Sequence, residues 1–261
     1  MTSATQPRSR GELRVGVGMS GLTALRQSGA LKALFPRRGS DEAVMVNTAG
    51  GITGGDRFRV SLEVAPAARL TVTTQAAERA YAAQPDETGR IELSAEVAGE
   101  LSWLPQETIL FDRSRLSRRM RIDMTEGARV LWCESVCFGR LARGEMLNDV
   151  QFRDRVEIRR GGRMIYLDGL DLRGDVFATL DRPAVAAGGR AMASLVLAGA
   201  DAAGHVDAVR ALLPATGGAS MLGGDVLVAR IVAADGFDLR AALIPVLRRL
   251  SGRDLPAVWR S

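Results

Sequence analysis

The stretch Arg59-Val60-Ser61-Leu62-Glu63-Val64 decides the fold class. Apolar and polar residues alternate strictly, which places Val60, Leu62 and Val64 on one face of an extended chain and Arg59, Ser61 and Glu63 on the other. The same period of two continues outward. Leu70, Val72 and Thr74 carry it on after Pro66. Ile91, Leu93, Ala95 and Val97 alternate with Glu92, Ser94 and Glu96. Met120, Ile122 and Met124 alternate with Arg121 and Asp123. Val130–Glu134, Phe152–Ile158, Met164–Leu172 and Asp225–Val232 read as further short strands. Turn clusters at 65–68, 98–100, 126–128 and 161–162 separate them. Many short strands at this spacing predict a mainly β protein of stacked or rolled sheets and not a series of βαβ units. No internal repeat stands out, and no linker divides the 261 residues, so one domain is expected.

A period near 3.6 is confined to the C-terminal part. His205, Val206, Val209, Leu212 and Leu213 share one helical face before Pro214 ends it. Leu239, Leu243, Val246, Leu247 and Leu250 form a second stripe with Asp235 as its N-cap. Pro245 inside that stripe predicts a kink or a break. Such a stripe must be buried, either in the protein's own core or on a partner.

Composition narrows the chemistry. There are 35 Lys+Arg against 30 Asp+Glu, a formal net charge of +5, with 46% hydrophobic residues. That is a globular composition and excludes a disordered chain. No apolar run approaches the length of a membrane-spanning helix, and the polar N-terminus lacks the apolar segment of a secretory signal. A cytoplasmic protein that meets no membrane is expected. His205 is the only histidine, which removes a Ser-His-Asp triad and a histidine-rich zinc site. Cys133 and Cys137 sit four apart. In a strand they lie some 13 Å apart, too far to share an ion, and they read as buried free thiols. The arginines at 113, 115, 118, 119 and 121 have no aromatic residue among them, so a solvated face is expected and nucleic-acid binding is not.

Four segments carry further information. In Asn47–Asp56 (NTAGGITGGD), the pairs Gly50-Gly51 and Gly54-Gly55 call for positive φ or close backbone approach. The segment lacks the Lys-Ser/Thr and the spacing of a phosphate loop, and Asp56 would repel phosphate. The others are LSWLPQETILFD (101–112), FGRLARGE (138–145) and LPAVWR (255–260). Together with TTQAAERAY (73–81), these segments resemble the UreD/UreH family of urease accessory proteins in content, order and spacing across the chain.

The resemblance implies a single UreD-like domain over 1–261 with residues 1–11 as a flexible tail. It implies sheets stacked in a solenoid-like way with about two helices in the C-terminal part. It also implies a non-catalytic role, helping to insert nickel into apo-urease in a complex with UreF and the GTPase UreG, with a homodimer formed through that complex. No tightly bound cofactor is implied, only Ni(II) in transit.

Imidazole and thiolate would hold nickel tightly, whereas carboxylates and water bind it weakly. One histidine and two cysteines therefore suit a conduit, or an ion-free scaffold, better than a store. The carboxylates in apolar or glycine-rich context are Asp56, Glu78, Glu134 and Asp168. Asp56 matches by motif position an acidic residue of the family's tunnel; Glu134 and Asp168 match more loosely. Each could equally pair with one of the many arginines. The reading from another class is a β-solenoid carbohydrate-active hydrolase with Asp56 and Asp168 as paired carboxylates.

Overall fold

A computed structural model describes residues 8–36 and 41–260. Among the described residues, seventeen strands and three α-helices follow in chain order. The first four strands are β1 (Arg10–Gly18), β2 (Gly21–Gly29), β3 (Leu31–Leu34) and β4 (Glu42–Asn47). The middle of the chain holds β5 (Arg57–Val64), β6 (Arg69–Thr74), β7 (Glu78–Ala80), β8 (Gly89–Val97), β9 (Glu100–Trp103), β10 (Thr108–Leu110), β11 (Arg115–Met124), β12 (Arg129–Phe138), β13 (Val150–Arg160) and β14 (Arg163–Gly174). The rest comprises α1 (Val176–Leu180), β15 (Ala191–Ala198), α2 (Val206–Leu212), β16 (Gly217–Leu222), β17 (Val226–Ala233) and α3 (Gly236–Ser251). Arg10 and Gly11 thus belong to a strand and not to the tail expected over 1–11; residues 1–7 of that tail lie outside the described residues.

The strands form two sheets. The first has the order β14-β13-β11-β8-β5-β1-β2; the second runs β16-β17-β15-β12-β9-β6-β4-β3, with β10 bridging β12 and β7. From β5 to β13 the chain coils, alternating between the sheets, so successive turns of the coil stack in parallel. Val60 pairs with Leu93, Leu93 with Met120 and Met120 with Val156. The partners lie 33, 27 and 36 residues apart, and this unevenness hides the repeat from a search at one fixed period. Stacking in register lines up the inward positions of every turn, and those residues fill the core between the sheets.

A second core lies on the other side of the second sheet. Leu131 and Cys133 of β12, Leu195 and Leu197 of β15, and Leu227 and Ile231 of β17 pack against the stripe Leu239, Leu243, Val246, Leu247 and Leu250 of α3. The stripe is therefore consumed by the protein's own core. It also follows that β12 and β15 are covered on both faces, which is why β15 reads as a continuous apolar run. Asp235 caps α3 by accepting from Asp238 N at 2.8 Å. The helix runs through Pro245 without the expected break. The carbonyl deprived of its donor belongs to Ala241, which is exposed and open to water. The short helix α1 precedes residue 200 and was missed, because five residues are too few to display a period; Asp175 caps it through Ala178 N.

Two of the sequence motifs meet at this second core. Trp259 is 1% exposed, and its Nε1 donates to Leu104 O at 3.0 Å. The Arg240 guanidinium lies 4.9 Å from the Trp259 ring and donates to Gln106 Oε1 and Val258 O. The segment 255–260 thus closes over 104–106. Trp259→Ala should lower the unfolding free energy by about 3–5 kcal/mol in urea titrations, as for other buried aromatic truncations. Trp259→Phe, which keeps most of the volume but loses the hydrogen bond, should cost only about 1 kcal/mol.

Candidate functional site

The inward register of the coil is apolar except at a few positions. On β11 it is occupied by Leu116, Arg118, Met120, Ile122 and Met124, and all five are buried. On β13 the same register holds Phe152, Asp154, Val156 and Ile158, and Asp154 pairs directly with Arg118. Across the sandwich, β12 contributes Val130, Trp132, Glu134 and Val136. Glu134 pairs with Ser194 of β15, and Ser194 with Arg230 of β17. Charged residues of two sheets thereby face each other at one depth.

Arg118 is the centre of this layer. Its Nη1 donates to Glu134 Oε2 at 2.7 Å and to Thr108 Oγ1 at 2.9 Å, and its Nη2 donates to Asp154 Oδ2. The guanidinium also lies over the Phe152 ring, 5.3 Å from its centroid. Trp103 Nε1 donates to the other oxygen of Glu134 at 2.8 Å. Burial acts to lower the Arg118 pKa, but Asp154 and Glu134 together push it above the ordinary arginine value. Burial raises the Glu134 carboxyl, and Asp154 adds to this, while Arg118 and the Trp103 N–H pull the other way without cancelling it.

Asp168 on β14 closes the layer. It accepts from Tyr166 Oη at 3.1 Å and pairs with Arg230, whose Nε donates to Ser194 Oγ at 3.1 Å. Arg118, Glu134, Asp154, Asp168 and Arg230 line one cavity of about 40 Å³. That is room for roughly three waters. Three carboxylates and two guanidiniums give the lining a formal charge of −1, which favours a cation.

Glu78 lies one strand away from the Arg118 cluster. Its Cα partner on β10 is Thr108, the residue that accepts from Arg118. Asn47 Nδ2 donates to both Glu78 oxygens, at 3.2 and 3.1 Å. Burial raises the Glu78 pKa above its ordinary 4.5; Asn47, the Arg79 N–H and Arg118 oppose this, and the Asp56 charge adds to it. Glu78 also lines an open groove with Asn47, Gly50 and Gly51.

The glycine loop is built for backbone contact. Ile52 N donates to Arg79 O and Tyr81 N to Ile52 O, both at 2.8 Å. A Cβ on Gly51 would sit 2.3 Å from the Tyr81 ring and 2.7 Å from Arg79 O, so only glycine fits. Gly55 has φ +83°, the left-handed region. Asp56 is 3% exposed, and both its oxygens are engaged: Oδ1 accepts from Ser9 N at 2.6 Å and Oδ2 from Thr53 N at 2.8 Å. The partners of Asp56 are thus backbone N–H groups and not an arginine, and Asp56 ties the loop to the residue that precedes β1. The structure does not bring Asp56 to the cavity that Glu134 and Asp168 share.

That separation also rules out Asp56 and Asp168 as the paired carboxylates of a hydrolase. Four strand intervals of about 4.8 Å divide β5 from β14, or roughly 19 Å, against the roughly 5–10 Å that glycoside hydrolysis requires. Cys133 is buried and Cys137 half-buried, both free. Burial raises both thiols, Cys137 to about 12, so neither offers a thiolate. His205 Nε2 lies 3.2 Å from Asp201 Oδ2, away from the cavity. Among the described residues, no group of three or more His, Cys, Asp or Glu is arranged to hold a metal ion.

Three site residues escaped the sequence analysis: Arg118, Asp154 and Arg230. The arginine run from 113 to 121 is not one solvated face, because Arg118 alone falls in the inward register of β11. A charge at an inward position of a period-two strand was the available signal for Arg118 and Asp154. The remaining motif, 138–145, is a structural loop: Arg140 Nε and Nη2 hold Glu145 at 2.9 Å each, and Glu145 also accepts from Arg140 N and Asp112 N.

A two-sheet coil with a carboxylate-lined cavity between its sheets defines a β-scaffold protein with a polar core. The chain matches, over residues 9–260, the family described as UreD urease accessory protein. It is 52% identical over 266 aligned residues to a urease accessory protein UreD of Roseobacter denitrificans, covering 99% of this chain and 97% of that protein. It is 49% identical to the one of Ruegeria pomeroyi, with 92% and 95% covered. With the one of Paracoccus denitrificans the identity is 42%, with 97% and 92% covered. The chain belongs to the UreD family of urease accessory proteins.

Asp56→Ala strands the Ser9 and Thr53 N–H groups and should destabilise the protein by about 2–4 kcal/mol in chemical denaturation, with Asp56→Asn costing less. Glu78 gives a pH test. Because its folded pKa is raised, the folded state binds the proton more strongly, so stability is lost as pH rises through the window above 4.5. Glu78→Gln should abolish that loss. Its melting temperature, compared with that of the unaltered chain at pH 4 and at pH 7, should gain more at pH 7.

Proposed function

We propose that this protein is a non-catalytic accessory factor in urease maturation and that its interior carboxylates pass Ni(II) toward apo-urease. The single observation that carries the reading is the cavity lined by Glu134, Asp154 and Asp168, and Glu78 is the proposed entry residue. The proposed partners are UreF, the GTPase UreG and the urease apoprotein, and the proposed setting is the cytoplasm. No described helix is long and apolar enough to cross a membrane.

The chemistry of the lining supports transit over storage. Carboxylate oxygens and water are hard ligands that bind Ni(II) more weakly than imidazole or thiolate does. A path that releases its ion must offer several shallow sites and no deep one. The excess negative charge draws a cation in, and the low-dielectric walls of the two sheets strengthen that attraction. The protein's part is to exclude other ligands: on the side of the second sheet, the lining strands β12 and β15 are packed on their opposite face against α3.

The test pairs Glu134→Gln with Asp168→Asn, which keep side-chain volume. Urease matured with the doubly substituted chain should contain several-fold less nickel by metal analysis. The accessory complex should co-purify in unchanged yield. Full nickel content in urease from an assembled complex would refute the route.

A further inference from the structure

We propose that Arg118 gates the cavity as a resident cation, occupying the position between Glu134 and Asp154 that a divalent ion must take. The proposal rests on the route described above and assigns its control to one side chain.

Three observations place the gate. The guanidinium bridges two carboxylates from opposite sheets, one on each terminal nitrogen, so its charge stands where a bridging cation would stand. Its Nη1 also reaches Thr108, whose Cα partners are Glu78 on one side and Val136 on the other. Arg118 therefore lines the cavity and is also one hydrogen bond from the strand that neighbours Glu78. The arrangement also leaves room to move. Arg118 Nε and Trp132 Nε1 are buried without a partner in the protein, Trp132 is 2% exposed, and both residues line the same cavity. An unpaired indole N–H on the wall of a polar cavity marks a place for water. A hydrated cavity gives a displaced guanidinium, or an arriving ion, somewhere to go.

The chemistry then follows from the residue type. Arginine cannot yield by losing its proton, so it must swing aside, and its stacking on Phe152 and its bond to Thr108 hold it in place until it does. An ion binds only the fraction of molecules in which the guanidinium has moved. Its apparent affinity falls by that fraction. The carboxylates are thus never bare when empty, which spares the fold an uncompensated buried charge. They also never hold the ion deeply when full. Arg230 repeats the device on a smaller scale at Asp168, where it is half-exposed and more easily displaced.

The experiment uses the full chain and Ni(II) alone, read by titration calorimetry. Arg118→Met removes the charge and keeps the stem. It should bind Ni(II) about tenfold more tightly than the unaltered chain, the factor by which a mostly closed gate weakens binding. Adding Glu134→Gln should erase the gain. Arg118→Lys keeps the buried charge but can hold only one carboxylate, and should fall between the two. It decides the matter if circular dichroism shows Arg118→Met unfolded. Equal affinities for the unaltered chain and the folded variants would overturn the gate. The nickel content of urease matured with Glu134→Gln separates this failure from failure of the route. If that content falls while Arg118→Met binds no more tightly, the route stands and the gate does not.

Discussion

Arg118 is held between Glu134 and Asp154 in a space walled by two apolar sheets, and the interior of the protein is organised around that bridge. A guanidinium that is only 8% exposed must be paired, because an isolated charge in such surroundings is prohibitively costly. Its two carboxylates come from different sheets, so the bridge sets the depth at which the sheets meet. Trp103 and Thr108 spend their polar atoms on the same cluster, and Ser194 links it to Arg230 and Asp168. The result is a polar layer inside an otherwise apolar sandwich.

The coil makes such a layer possible. Parallel stacking in register puts each inward position of one turn directly against the same position of the next. A polar residue on one strand therefore meets its neighbour at a fixed distance, as Arg118 meets Asp154. Covering the outer face of the second sheet with α3 and the segment 255–260 leaves β12 with both faces packed. Glu134 is then largely withdrawn from bulk solvent, and its environment is set by Arg118 and Trp103.

The glycine loop and the cavity serve different ends. Gly51 and Gly55 let the chain turn tightly beside Arg79 and Tyr81, and Asp56 ties that turn to Ser9. Asp56 is thereby an anchor of the loop that brings Asn47 to Glu78. The carboxylates of the cavity are bound to arginines instead of to backbone.

The sequence alone determined that this is a mainly β protein, because alternation at a period of two is a local property that each strand displays by itself. It also determined the two longer C-terminal helices, the family resemblance, and the poverty in imidazole and thiolate that any nickel chemistry here must respect. Which carboxylates share a cavity was decided only by the tertiary structure. Glu134 and Asp168 were legible as acids in apolar strands, but their meeting depends on coil offsets of unequal length that no local pattern encodes. Asp56 read as a path carboxylate or an arginine partner, whereas its partners are backbone N–H groups, one of them 47 positions away at Ser9. Arg118 was hidden in a run of arginines, since only the inward register of β11, set by stacking against β8 and β13, distinguishes it from the exposed Arg119 and Arg121.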